Sequence, residues 1–279
     1  MSTSSALASH DLEKSEAQFH DQWAASVDVS QIEVDALFES GSCPENRQVI
    51  RWMGDLRGKR VLDIGCGLGE SSVYFAKKGA LVTAVDISPG MLQVTNRLAS
   101  RHGVAVETVE ASAMDLSQVS DGQYDFVYAA NLLHHVDIEA FLNQVQPKLK
   151  PGGSAVFWDP VHYNPVIQVY RHMATQVRTP DEHPLRRADL ELIRSRFARV
   201  ETRFYWYTAL AIFLKFFLID RIHPNQSRYW KKIIEDAPRI GRWLDVLHRI
   251  DRVLFSWVPG ARWLAWNVAI RAQRSSSHE

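Results

Sequence analysis

The feature that most constrains this chain is a five-residue glycine turn between two unlike periodicities. Arg60–Ile64 is a short, mostly apolar run that ends in Gly65-Cys66-Gly67-Leu68-Gly69, and helical apolar spacing resumes over Glu70–Lys77. Period two followed by period 3.6 across a tight turn reads as strand, turn, helix. The pattern then repeats: strands at 81–85, 104–109, 124–129 and 154–158 alternate with helices at 89–100 and 138–149. Strands separated by helices require right-handed crossovers and a parallel sheet. Two helices precede this core, at 12–23 and 46–56, and beyond Asp159 the rhythm breaks. A helix near 188–196, a strand at 200–207, a mostly helical stretch and an alternating segment at 263–273 complete the chain, the last fitting an edge strand.

At 279 residues the chain can bury a full hydrophobic core, and with 46% hydrophobic residues and zero formal net charge it has the composition of an ordinary globular protein. The charge is unevenly distributed. Residues 203–279 carry 13 Lys and Arg against 6 Asp and Glu, and six of the nine Trp. The first 202 residues have no basic stripe to follow a phosphate backbone, so nucleic acid is not an expected partner. The two cysteines, Cys43 and Cys66, are not expected to pair, no Cys/His spacing suggests a zinc site, and Met1 to His10 lacks a signal-peptide pattern. A cytoplasmic location and no metal are the resulting expectations. The run at 204–219 is too short to span a bilayer and is interrupted by Lys215. It reads equally as a strand running into a packed helix or as an apolar lid, with a peripheral membrane contact conceivable through 204–242 and its basic residues.

A glycine turn ahead of a helix lets a ligand approach the backbone and meet free N–H groups, although such turns also serve packing alone. Asp86, at the end of the second strand, sharpens the reading, since a carboxylate there can accept from both hydroxyls of a ribose. The competing role, capping the next helix, can be filled by Ser88 before Pro89. Asp63, directly before the turn, would repel a phosphate and suit an ammonium group.

Val61 to Gly69 resembles the first motif of class I S-adenosylmethionine-dependent methyltransferases, and Val85-Asp86-Ile87-Ser88-Pro89-Gly90-Met91-Leu92 the second. Ala111-Ser112-Ala113-Met114-Asp115-Leu116, Tyr124-Asp125-Phe126-Val127, Asn131-Leu132-Leu133-His134-His135-Val136 and Leu149-Lys150-Pro151-Gly152-Gly153 are similar to later elements in the family's order, so the likeness covers about residues 44–160. It implies S-adenosyl-L-methionine as cofactor, leaving as S-adenosyl-L-homocysteine. The implied fold is α/β and Rossmann-like: a doubly wound, mostly parallel seven-stranded sheet with a helical insertion between the last two strands. The cofactor set is Asp63, Gly65, Cys66, Gly67, Asp86, Ile87, Met91, Ser112, Ala113, Met114 and Asn131. Ser112 departs from the family, which often has Asp there.

The expected organisation is an N-terminal helical cap at 1–43, the cofactor domain at 44–207, a substrate cap at 208–259, and a final strand and tail at 260–279. Candidate catalytic residues are His134, Asp159 and His162, where strand ends face the crevice, with Arg171, Arg178, Glu182 and His183 a polar cluster that lines the acceptor pocket or pins its loop. The loop after the fourth strand lacks the Pro-Pro-aromatic element of DNA amino-methylating relatives, and neither an arsenite-type cysteine set nor a paired-Glu loop is present. The expected activity is methyl transfer to a small, rather apolar acceptor at oxygen or sulfur. Carbon methylation of an isoprenoid or polyketide, a membrane-surface lipid methyltransferase and a non-catalytic cofactor-binding protein are the alternatives.

Overall fold

The computed structural model describes residues 3–173, 182–225 and 229–276. In chain order the elements are α1 (Thr3–Ala25), α2 (Val34–Glu39), α3 (Pro44–Met53), β1 (Arg60–Ile64), α4 (Glu70–Lys77), β2 (Leu81–Asp86), α5 (Pro89–Arg101), β3 (Glu107–Glu110), β4 (Tyr124–Ala130), α6 (Ile138–Lys148), β5 (Leu149–Pro160), α7 (Pro165–Met173), α8 (Arg187–Arg196), β6 (Arg199–Tyr205), α9 (Ala211–Leu214), α10 (Tyr229–Glu235), α11 (Ala237–Trp257) and β7 (Asn267–Gln273). A π-turn at Lys215–Ile219 continues α9.

The seven strands form one sheet in the order β3-β2-β1-β4-β5-β7-β6. β1 pairs in parallel with β2 and β4, and β7 runs antiparallel to both β5 and β6. The last strand is therefore not an edge strand, as its alternation suggests. It is inserted between β5 and β6, buried along most of its length, and β6 takes the edge. β3 is also shorter than the run at 104–109, because Val104 closes the turn after α5 through its N–H to Ala99 O.

Alternation along β1 explains the layers. Leu62 and Ile64 point to a core shared with Phe141, Leu142 and Val145 of α6 and Leu190 and Ile193 of α8. Val61 points to the other face, with Val49 and Met53 of α3, Val73 and Phe75 of α4 and Leu98 of α5. Asp63 shares the Val61 side by strand period, which puts a carboxylate beneath α4. A third core, including Trp206, Phe213, Phe216, Tyr229, Ile233 and Leu244, belongs to the insertion between β6 and β7. Cys43 and Cys66 are both free. Among the described residues no helix is long and apolar enough to cross a membrane.

Winding reverses between β1 and β4, so the loops after their C-terminal ends diverge and leave a crevice. Gly69 makes the turn into α4 at φ +84°, and a Cβ there would lie 2.5 Å from Thr95 Oγ1 and 2.8 Å from Thr95 Cα. Only glycine lets α4 and α5 approach this closely.

Candidate active site

Two adjoining cavities fill the crevice, one of about 1000 Å³ and one of about 390 Å³. His20, Gly65, Gly67, Asn131 and His135 border both, so the two form one continuous site.

The larger cavity is lined by Asp86 and Ile87 at the end of β2, Ala111 to Met114 after β3, and Leu132, Leu133 and His135 to Glu139 after β4. Asp86 is buried. Its Oδ2 accepts from Gly67 N–H and its Oδ1 from Ser88 N–H, each at 2.9 Å. Four lone pairs less two leave one on each oxygen, which suits two adjacent hydroxyls. Ser88 caps α5 by accepting from Met91 N–H at 3.0 Å, so Asp86 has no capping duty. Burial, eased by the backbone N–H groups of Ser88, Gly67 and Ile87 and by His20, raises the Asp86 carboxyl above the ordinary carboxylate range. Gly67, at φ +53°, has no atom within 4 Å of where a Cβ would stand, so a side chain there would project into the ligand space.

The smaller cavity is lined by Asp63, Glu45, Asn46 and Ser71 together with aromatic groups that include Trp23, Tyr128, Trp158, Tyr170, Trp206 and Trp266, and Tyr128 Oη lies 3.3 Å from Asn46 Oδ1. Asp63 Oδ2 accepts from Ser72 Oγ at 2.6 Å, and burial pushes its carboxyl up to about 7. Glu45 is similarly raised to about 7 by burial and accepts from Asn267 Nδ2 at 2.7 Å. A cationic ligand group beside either would restore the carboxylate.

At the edge of the smaller cavity, His134 Nδ1 lies 2.5 Å from Asp159 Oδ1. Asp159 is 0% exposed and also accepts from the backbone N–H groups of Leu133 and His134, both at 3.2 Å. Three donors converging on one carboxylate fix the ring with Nδ1 protonated and leave Nε2 as its basic atom. Burial lowers the His134 imidazole below its usual range against the opposing pull of Asp159, so it stands neutral at pH 7. Its neighbour His135 goes the other way: burial depresses it, but Glu16, 3.0 Å away, outweighs that and raises it.

α1 roofs the crevice. Asp21 Oδ1 accepts from Ser88 Oγ at 2.6 Å and Gly90 N–H at 2.9 Å, pinning α1 to the start of α5 and bringing Glu16, His20 and Trp23 over the cavities. Arg171 of α7 pairs with Glu182 at 3.3 Å, and both border the smaller cavity. The donor atoms of His134, His135 and Glu182 come within 4.8 Å of one another, the one His/Glu grouping among the described residues with the makings of a cation site. Arg171 already neutralises Glu182.

Of the residues singled out from sequence, Gly65, Gly67, Asp86, Ile87, Ser112, Ala113, Met114 and Asn131 line the larger cavity, and Asp63, Cys66 and His134 the smaller. Three expectations are corrected. Met91 is fully buried among Ala24, Leu68 and Val94 and reaches neither cavity, because its helical phase turns it under α1. His162 borders neither cavity and sits edge-on to Tyr163, its N–H donating to Leu185 O. Asp159 borders neither cavity, being covered by the His134 ring and the Leu133 and His134 backbone that it holds. Cys66 contributes its backbone, while its Sγ turns to Thr95 Oγ1. Arg171, Glu182 and His183 do reach the cavities; Arg178 lies outside the described residues. Glu16, His20 and Glu45 were not legible as site residues, since each enters from an N-terminal helix whose docking no local pattern encodes.

A family model described as a methyltransferase domain matches residues 61–153. The ubiquinone biosynthesis O-methyltransferase of Pseudomonas savastanoi pv. phaseolicola is 35% identical over 125 residues, covering 43% of this chain and 53% of that protein. The same enzyme of Escherichia coli O7:K1 is 37% identical over 105 residues, covering 37% and 44%. The chain thus spans about half the length of these curated relatives. In fold it is similar to Haemonchus contortus phosphoethanolamine N-methyltransferase 2 in complex with S-adenosyl-L-methionine (TM-score 0.54, 18% identity, 84% of this chain and 52% of that one). It is also similar to geranyl diphosphate methyltransferase in complex with GPP and sinefungin (TM-score 0.52, 18% identity, 82% and 77%).

Proposed function

We propose that this chain, whose residues 61–153 match a methyltransferase domain, is a class I S-adenosylmethionine-dependent methyltransferase that methylates a hydroxyl oxygen of a small, apolar acceptor held in the aromatic cavity. The observation that carries this reading is the His134–Asp159 pair at the border of an apolar cavity continuous with the cofactor crevice.

The site fits the cofactor. Asp86 would hold the ribose hydroxyls, Ile87 and Met114 would bracket the adenine, Ala113 would offer its backbone N–H, and Asp63 would receive the ammonium group. S-adenosyl-L-methionine supplies, when bound, a methyl group on a positively charged sulfur. The chain's own residues supply the rest. Trp158, Trp206 and Trp266 bind the acceptor's apolar body and exclude water, which raises the effective concentration of the reacting oxygen. His134 Nε2 would take the proton of the acceptor hydroxyl, whose oxygen would accept the methyl group that the bound cofactor supplies. The resulting imidazolium is stabilised by Asp159. A neutral His134 at pH 7 is the form this step requires.

The aromatic lining also favours an apolar acceptor over a charged one, and the helical insertion contributes Ile233 to its wall, in keeping with a substrate cap at 208–259. The test is transfer of labelled methyl from S-adenosyl-L-methionine to a panel of alkylated phenols, compared with thiols and amines of equal bulk. Labelled methyl ethers, lost in His134→Ala, support the reading. Transfer only to amines, or undiminished transfer by His134→Ala, overturns it.

A further inference from the structure

The helix α11 buries one side in the insertion core through Ile240, Leu244, His248 and Asp251. Its outer side is not polar. Trp243, Val246, Ile250, Val253 and Trp257 are all exposed, the two Trp at 72% and 80%. They recur at steps of three and four residues, so at 100° per residue they stay within an arc of about 80° along a helix of roughly 30 Å. A buried core helix has no need of this second apolar stripe, and two tryptophans left in water are costly unless something covers them.

The charges beside the stripe indicate what covers it. Arg239, Arg242, Arg249 and Arg252 are exposed on α11, and among the described residues none of them pairs with a carboxylate. The acidic groups of the helix are engaged elsewhere: Asp245 with Arg47 at 3.4 Å, and Asp251 with Tyr207 N–H and Thr208 N–H and Oγ. The outer face is thus an apolar stripe with terminal tryptophans; Arg239 falls within its arc and Arg242 and Arg249 within about 40° of its edge, while Arg252 lies farther round the helix. A second copy of this chain would set arginine rows against arginine rows. An anionic surface with an apolar interior meets both halves of the face.

We propose that the outer face of α11 docks on an anionic lipid bilayer, lying in the interfacial plane. The proposal rests on the apolar-acceptor reading for its purpose, delivery of a lipophilic acceptor beside the insertion that walls the cavity, but its test does not depend on that reading. The peripheral contact expected from sequence at 204–242 thereby moves along the chain. Leu214, Phe217, Leu218 and Ile219 are exposed too, but the continuous stripe lies at 243–257.

The experiment is co-sedimentation of the full chain with vesicles of phosphatidylcholine alone and of phosphatidylcholine with 30% phosphatidylglycerol, at low and high salt. Binding is expected to the anionic vesicles only, to weaken with salt, and to fall about tenfold in Trp243→Ala/Trp257→Ala and again in Arg242→Ser/Arg249→Ser. Circular dichroism and calorimetric S-adenosyl-L-methionine binding should be unchanged in both variants, since none of the four residues borders the cavities. No sedimentation with anionic vesicles, undiminished binding by both variants, or a lipid-independent dimer that the Trp variant dissociates would each overturn the proposal. A wild type that binds vesicles but transfers no methyl group to phenols would instead count against the acceptor reading alone.

Discussion

Replacing Asp159 by Asn tests the dyad without changing its size. Asp159 accepts three N–H groups, from His134 Nδ1, His134 N and Leu133 N. Asparagine offers one acceptor oxygen and one NH2, so one side of this arrangement must face a donor. If the oxygen stays on the ring, the NH2 meets the Leu133 N–H and leaves a buried donor unsatisfied, costing ~1–3 kcal/mol. If the NH2 faces the ring, Nδ1 must become the acceptor, the proton moves to Nε2, and the basic atom is lost from the cavity. Loss of a positioned general base reduces kcat by about 10²–10⁴-fold, and the second orientation predicts a loss in that range. The cofactor dissociation constant should change less than about twofold, because Asp159 borders neither cavity. Single-turnover transfer of labelled methyl to an accepted phenol, alongside calorimetry with S-adenosyl-L-methionine, separates the two quantities. A variant with wild-type kcat and an unshifted pH profile would refute the role of the pair. In the wild type, kcat should rise with pH through a midpoint below the ordinary histidine value, since burial lowers His134.

Further outcomes follow from the same geometry. Asp86→Ala removes two charge-assisted hydrogen bonds of ~1.5 kcal/mol each and should weaken S-adenosyl-L-methionine about a hundredfold in calorimetry; an unchanged constant would remove the ribose assignment. Gly69→Ala forces a Cβ against the Thr95 backbone in a left-handed conformation and should cost ~2–4 kcal/mol in urea unfolding, with a change under ~1 kcal/mol showing that α4 and α5 can separate freely. His248 is buried, both ring nitrogens lack hydrogen-bond partners, and burial lowers its pKa to about 4. Its folded value lies below its unfolded one, so the unfolded state binds the extra proton first, and stability should fall by up to ~3 kcal/mol between pH 6.5 and 4. The melting temperature of His248→Phe should decline less over that window; parallel declines would discount the group.

What the sequence revealed and what it withheld divide by the range of the interactions involved. The β1 to α4 unit was legible because its signals are local: period two, then glycines, then period 3.6, with Asp63 and Asp86 at strand ends where the winding rule places ligands. The helical insertion was legible from composition. The order of the last two strands was not, because β7 has the same alternation whether it lies at an edge or between β5 and β6; the buried flanks on both sides come only from pairing partners distant in sequence. His162 and Met91 failed for a related reason. Both lie close in sequence to true cavity residues, but the turn after Pro160 and the phase of α5 rotate their side chains away.

Asp159 and the two faces of the insertion depend in the same way on contacts distant in sequence. A carboxylate at the end of β5 reads from sequence as facing the crevice, yet β4 and β5 pair in register through Ala130 and Trp158, which brings the His134 turn directly over it. The strand end therefore holds the neighbouring loop through the N–H groups of Leu133 and His134. Over the crevice, α1 and the insertion each add apolar groups that no cofactor requires: Trp23 from one, Trp206 and Ile233 from the other. Two chain-distant elements converge on one aromatic cavity, and the insertion also turns a second apolar stripe outward on α11. A fully polar acceptor arriving from water would need neither, whereas a lipophilic one needs a wall to enclose it and a surface from which it can be taken up.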